Sequence, residues 1–284
     1  MGIFSDVLLT VDFDRTMTAP DSTIPERNLE AVRYFMENGG AFTLNTGRSV
    51  PMATRFLDTL PANVPFLLYN GSAAYDREAG KLIQCRIIDL DPESVINDLQ
   101  SRFPELTVEL QGTYAHHIFR KDAGWEDYCA NNGCPWAYAS LDDIPMPFLK
   151  LALYEKFTAN TVAAMYQATP AQLAYFDEVE AYVKRRYEGL VEVFRAAPRI
   201  IDIHAKGVSK GASARWLQKD LGRKILVCVG DAENDLAMLR EADYAFCPRD
   251  GILAKDFPNV CECGKGAVAD VIYEKIPEIL GVQP

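Results

Sequence analysis

Val7-Leu8-Leu9-Thr10-Val11-Asp12-Phe13-Asp14-Arg15-Thr16 decides how the rest of the chain is read. Its apolar run has the length and residue types of a buried β-strand, and it stops abruptly in two carboxylates and a hydroxyl. In an open α/β sheet the ligand crevice lies just beyond the carboxyl ends of the strands, so Asp12 and Asp14 stand where chemistry is expected. Asp-x-Asp alone is equally compatible with the start of a turn. The reading therefore depends on whether later strands bring partners to the same edge.

Downstream, 25–38 places Leu29, Val32, Phe35 and Met36 on one helical face, with Glu26 in the first turn and Gly39-Gly40 as the stop. A second strand over 41–45 ends in Thr46-Gly47-Arg48, where Gly47 lets the main chain approach a ligand and Arg48 offers donors to an anion; an ordinary strand-to-helix turn fits the same residues. A helix to about residue 60 and a third strand over 65–69, closed by Asn70-Gly71, complete an alternation that predicts a parallel, doubly wound α/β sheet. From residue 82 the texture changes. Strand-like pieces at 82–88, 106–110, 114–119 and 148–154 are interleaved with helices at 92–102 and 171–186, which predicts antiparallel pairing with one face under helices. We read 82–197 as an inserted α+β domain, with Ala79-Gly80 and Ala197-Pro198 as hinges, and 1–81 with 198–284 as the core domain.

A strand at 199–203 is expected to return the chain to the core domain. After it, Ser209 is an N-cap candidate for a helix reaching Gly222. Lys210 in the first turn opposes the helix macrodipole at a cost of about a few tenths of a kcal/mol, an unfavourable local choice that suggests a functional reason. The most strand-like run of the chain, 224–230, then ends in Asp231-Ala232-Glu233-Asn234-Asp235.

Bulk properties narrow the function class. The 284 residues are 49% hydrophobic, which argues against disorder, and a net charge of −11 disfavours a broad nucleic-acid contact surface. No apolar run reaches the length of about 18 residues needed for a membrane span, and the first residues lack a basic region followed by an apolar core, so a cytoplasmic location is expected. The seven cysteines are an odd number without framework spacing, and are expected to be reduced and mostly structural; Cys261 and Cys263 lack a second Cys or His pair at ligand spacing. His116-His117, followed by Arg120-Lys121, reads as a solvated strand end more readily than as a substrate grip. Trp125, Tyr128, Trp136 and Tyr138 read as packing, because no basic stripe accompanies them. Lys184-Arg185-Arg186 reads as a solvated helix end, and His204 as a packed or solvated residue outside the chemistry.

Parallel strands would carry Asp12 and Asp14, Thr46, Lys210, and Asp231 with Asp235 to one sheet edge. In this order Asp-Phe-Asp-Arg-Thr, Asn-Thr-Gly-Arg, Gly-Val-Ser-Lys-Gly and Gly-Asp-Ala-Glu-Asn-Asp resemble the four motifs of the haloacid dehalogenase superfamily of phosphohydrolases. The insert between the second and third resembles the C2-type cap of its Cof-like branch, subfamily IIB. The resemblance implies a Rossmann-like core and a Mg²⁺-dependent phosphatase for a small phosphorylated metabolite, first of all a sugar phosphate. It implies Asp12 as nucleophile and Asp14 as the acid and base for leaving group and water. Mg²⁺ would be held by Asp12, the Asp14 main-chain carbonyl and Asp231, with Asp235 acting through water or from behind the ligands. Thr46, Gly47, Lys210 and Asn234 would bind phosphate. Arg15 stands where the family usually has Gly, and Ala205 where the Cof-like pattern often has Pro. A phosphosugar mutase on the same scaffold and a non-catalytic sugar-phosphate sensor are the alternative readings, and the sequence sets no oligomeric state.

Overall fold

The computed structural model describes residues 2–131, 133–144, 148–155 and 167–283. The chain forms two compact units, one from residues 1–47, 56–84 and 209–284 and the other from 48–55 and 85–208.

The first unit is built on five parallel strands in the order Asn259–Val260, Tyr244–Pro248, Ile225–Val229, Val7–Val11, Ala41–Leu44. Every residue of Val7–Val11 is fully buried, as expected for a central strand covered on both faces. Its neighbours run away in opposite sequence directions, to Ala41–Leu44 on one side and Ile225–Val229 on the other, so a topological switch point lies at its carboxyl end. The helix Glu26–Glu37 buries Ala31, Val32 and Phe35, and the helix Lys210–Asp220 buries Ala214 and Leu217 against Leu8, Leu226 and Met238. Asn45 bridges to Leu67, which attaches the strand Phe66–Leu68 at the far edge. That strand opens a three-stranded sheet with Ala73–Asp76 and Lys81–Cys85. The piece expected to begin the insert at residue 82 thus belongs here. Gly80, at φ 62°, belongs to the turn that returns the chain onto Ala73–Asp76 rather than to a hinge.

The second unit is a six-stranded sheet in the order Val191–Ala197, Ile200–Ala205, Phe148–Glu155, Leu106–Gly112, His116–Ile118, Trp136–Tyr138. All of its pairs are antiparallel except the last, His116–Ile118 with Trp136–Tyr138. Ile200–Ala205 was expected to return the chain to the first unit. It pairs instead with Val191–Ala197 and Phe148–Glu155, because Pro198-Arg199 is the tip of a hairpin, and the first unit resumes only at residue 209. Strand alternation gives this sheet two unlike faces. Val108, Leu110, Leu151, Leu153, Ile201 and Ile203 pack under the helices Pro92–Arg102 and Pro170–Arg186. The other face carries buried polar groups in register: Gln111, Lys150 and His204 in one row, Glu109 and Asp202 flanking Ala152 in the next. Lys150 Nζ lies 3.1 Å from Asp202 Oδ2, with both side chains buried.

His116 departs from the expected solvated strand end. Its strand is interior, and its ring is 1% exposed with Nδ1 2.8 Å from Glu109 Oε1. Residues 48–55 join this unit through Ser49, whose Oγ is 2.7 Å from His116 Nε2, and Met52, which packs on the cluster of Ile118, Trp125 and Tyr128. Trp125 is fully buried and meets Trp136 edge to face at 5.6 Å, a packing role. His204 is buried, and burial with Lys150 nearby holds its ring well below the usual histidine range, so it is a neutral core residue.

Candidate active site

The strand ends of the first unit bring four charged side chains into contact. Lys210 Nζ donates to Asp12 Oδ1 at 2.5 Å and to Asp235 Oδ1 at 2.7 Å, and Asp231 completes the group: carboxylate oxygens of Asp12, Asp231 and Asp235 lie within 4.8 Å of one another. All four residues are buried.

Each is placed by the local backbone. Asp12 extends its strand by one hydrogen bond, its N–H donating to Val229 O. The chain then wraps tightly, with Met17 N–H donating to Asp12 O and Thr16 Oγ1 donating to Asp231 Oδ1 at 3.1 Å. This turn requires a left-handed residue, and Arg15 supplies it at φ 61°, ψ 14°. The resembled family's usual Gly at this position has the same physical reason, since a side chain is disfavoured there. Lys210 is the first residue of its helix, whose N-cap Ser209 accepts from Ala212 N–H; two carboxylates offset the adverse dipole. Asp235 is fixed by the N–H groups of Asp231 and Ala232, which both donate to its Oδ2 at 3.0 Å. Gly230 is obligatory beside it, because a Cβ there would stand 2.6 Å from the Asp235 Cβ and Cγ.

The electrostatics are unbalanced: one ammonium faces three buried carboxylates. Burial and the neighbouring Asp235 push the Asp12 carboxyl well above the usual carboxylate range, against the pull of Lys210. The same two causes push Asp231 up to about 7. Burial works to deprotonate Lys210, but Asp12 and Asp235 outweigh it and hold the ammonium above its usual value. A group of hard oxygen donors short of positive charge is a site that a hard divalent cation fits.

The remaining expected residues lie around this group. Asp14 is half-buried in the same turn, two residues past Asp12, and its charge reaches Asp12. Thr46 is buried, and its carbonyl accepts from Asn70 N–H at 2.9 Å. Gly47 is needed because a Cβ would approach Asn70 Oδ1 to 2.9 Å. Asn234 donates to Asn70 Oδ1 at 3.3 Å, so Asn70 ties the Thr46-Gly47 loop to the Asp231–Asp235 loop.

Three residues escaped the sequence reading of the site. Asn70 holds its position from a left-handed backbone at φ 54°; the Asn-Gly pair closing the third strand was its sequence signal. Asn45 Nδ2 donates to Lys210 O at 2.8 Å, fastening the second motif to the third across 165 residues, a distance no local pattern encodes. Thr16, the hydroxyl closing the first motif, has its partner 215 residues away.

The chain is similar to several known proteins. The family model for haloacid dehalogenase-like hydrolases matches residues 9–252. An HMP-PP phosphatase of Serratia proteamaculans is 23% identical over 239 residues, covering 82% of this chain and 80% of that protein. A haloacid dehalogenase-like hydrolase from Bacteroides thetaiotaomicron superposes with a TM-score of 0.74 at 20% identity, covering 95% of this chain and 98% of that one. A subclass IIB sugar phosphatase superposes with a TM-score of 0.72 at 15% identity, covering 96% and 98%. The matched span takes in all four strand-end motifs and the residues between them, and the chain belongs to the haloacid dehalogenase-like hydrolases.

Proposed function

We propose that this phosphoric monoester hydrolase removes phosphate from a small phosphorylated metabolite, a sugar phosphate first among the candidates, through an aspartyl-phosphate on Asp12 with Mg²⁺ as cofactor. The observation that carries the reading is Lys210 bridging Asp12 and Asp235 beside Asp231, an arrangement that orients one carboxylate and leaves room in the charge balance for a divalent cation.

An Asp12 oxygen attacks phosphorus and the ester oxygen leaves, taking the proton of Asp14. Asp14 then takes a proton from the water that attacks the phosphorus of the aspartyl-phosphate, which frees inorganic phosphate and restores Asp12. Lys210 orients Asp12, favours its ionised form together with the cation the site would hold, and offsets charge on the transferring group; the Thr46 hydroxyl, the Gly47 N–H and Asn234 are assigned to its oxygens. Asp12, the Asp14 main-chain carbonyl, Asp231 and Asp235 would hold Mg²⁺, which when bound neutralises the carboxylates and polarises the phosphoryl oxygens. Magnitudes support the division of labour. Phosphate monoester hydrolysis requires accelerations up to ~10²¹ and one acid–base group supplies ~10²–10⁴, so covalent catalysis and preorganised charge must supply the rest. The second unit, as an inserted cap, is assigned the choice of leaving group. The similarity to an HMP-PP phosphatase and to a sugar phosphatase supports a small phosphorylated substrate.

The test is phosphate release from a panel of sugar, nucleotide and cofactor phosphates, with Mg²⁺ and with chelator. Release is expected only with the metal, and Asp12→Asn is expected to lower it on the order of 10⁴-fold or more while the circular dichroism spectrum is unchanged. Retained turnover in Asp12→Asn overturns the nucleophile. Isomerisation primed by a bisphosphate without net release points to a mutase, and tight binding without turnover to a sensor.

A further inference from the structure

His116, Cys129 and Cys134 converge inside the second unit, with exposures of 1%, 0% and 4%, and one ligand atom from each lies within 4.8 Å of the other two. Different segments bring them together. His116 opens a strand, Cys129 lies in the last turn of the helix Ala123–Asn131, and the chain folds back after that helix so that Cys134 N–H donates to Cys129 O at 2.9 Å, with Gly133 at φ 63°. The imidazole is held from behind. Its Nδ1 faces Glu109 Oε1 at 2.8 Å, and Glu109 is fully buried and accepts from Trp125 Nε1 and Gln111 Nε2. A carboxylate on the far nitrogen of a histidine is the arrangement that fixes the tautomer and orientation of a metal ligand. It leaves Nε2 as the ligand atom, with Ser49 Oγ 2.7 Å from it.

We infer that His116 Nε2 and the thiolates of Cys129 and Cys134 form a site for a borderline-soft divalent metal, Zn²⁺ in the first place, with an oxygen donor at the fourth position, either Ser49 Oγ or a water. Zn–S distances of ~2.3 Å and Zn–N distances of ~2.0–2.1 Å in a tetrahedron separate the donors by ~3.3–3.8 Å, inside the limit within which these atoms already lie. Two thiolates and a neutral imidazole make the occupied ligand shell electrically neutral, which suits a buried position. Donor type sorts this site from the first unit, where Asp12, Asp231 and Asp235 offer only oxygen. Bound metal would join the helix Ala123–Asn131, the turn after it and the strand His116–Ile118, and so stabilise the second unit without taking part in hydrolysis.

The test uses the full chain, purified under reductant, stripped with chelator and titrated with Co²⁺ and then Zn²⁺. A thiolate-to-cobalt absorption saturating at one equivalent, displaced by Zn²⁺ and indifferent to excess Mg²⁺, is expected. Alkylation read by mass spectrometry should find Cys129 and Cys134 protected at least tenfold by Zn²⁺ and Cys85, which is exposed, unprotected. Asp12→Asn should keep the cobalt spectrum, whereas Cys134→Ser should weaken binding at least tenfold. The wild-type spectrum and alkylation pattern decide the matter even where Cys134→Ser does not fold. Absence of thiolate–cobalt absorption, alkylation of Cys129 and Cys134 at equal rates with and without Zn²⁺, or a Cys129–Cys134 disulfide that survives the reductant overturns the inference.

Discussion

In the first unit two buried carboxylates follow the ends of strands, whereas in the second three buried charged groups stand within strands. Asp12 follows Val7–Val11 and Asp231 follows Ile225–Val229, whereas Glu109, Lys150 and Asp202 lie within Leu106–Gly112, Phe148–Glu155 and Ile200–Ala205. The sheets impose the difference. A central parallel strand is covered on both faces and stays apolar until its carboxyl edge, while an antiparallel strand needs only one apolar face. Strand-end charges can therefore be left partly unbalanced, because they border a ligand crevice. Mid-strand charges lie within the sheet, away from that crevice, and are balanced by their neighbours, as Lys150 is by Asp202.

The largest effect expected from this contrast is in the second unit. Asp202→Ala would leave the Lys150 ammonium buried without its carboxylate, at a cost of about 3–5 kcal/mol. Urea unfolding followed by tryptophan fluorescence reports it, because Trp125 and Trp136 both belong to this unit. A loss below about 1 kcal/mol would mean that the pair is solvated, and the contrast with the first unit would fail.

The strand-end group should behave in the opposite sense. Asp231 takes a proton more readily folded, at about 7, than in an unfolded chain at about 3.9. Its contribution to stability is thus fully present below about pH 4 and is lost as pH rises through about 7. With chelator at about pH 8, Asp231→Asn should be more stable than wild type by about 1–3 kcal/mol, and the gain should shrink towards about pH 4. Comparing the two proteins at each pH cancels His204, which is depressed by burial and acts with the reverse sign. A gain independent of pH, or a loss at high pH, would show that the carboxylates are not electrostatically strained.

The smallest effect concerns the turn that carries Asp14. Arg15→Gly should stabilise the protein by about 0.5–1 kcal/mol, since glycine adopts the left-handed conformation without the steric penalty but loses more chain entropy on folding. Thermal unfolding measures it. Destabilisation would assign Arg15 a contact that outweighs its backbone.

The same contrast governs what was legible in the chain. Apolar runs ending in Asp12, Thr46 and Asp231 mark strands and their edge locally, and the structure brings Asp12, Lys210, Asp231 and Asp235 together there. Mid-strand polar residues carry no such mark. His116 looked like a solvated end because Arg120-Lys121 follows it, whereas its burial is decided by Glu109 across the sheet. Cys129 and Cys134 stand at the upper end of zinc-ligand spacing, but their third partner, His116, lies upstream in a strand and shares no local motif with them. Gly80 and Pro198 resembled hinges because glycine and proline mark hairpin turns and interdomain linkers alike. Only pairing showed that each lies in a turn within a sheet.

Strand pairing also sets a timetable. Val7 pairs with Ile225 on one side, while the strands of the second unit find their partners between residues 106 and 205. At about 5–20 residues per second, a ribosome takes about 10–40 s to travel from one member of the Val7 pair to the other. During that interval all the strands of the second unit are made, while the strand that ends in Asp12 waits with one edge open. The first strand made is among the last enclosed, and until Ile225 is made its open edge is free to pair with the wrong strand.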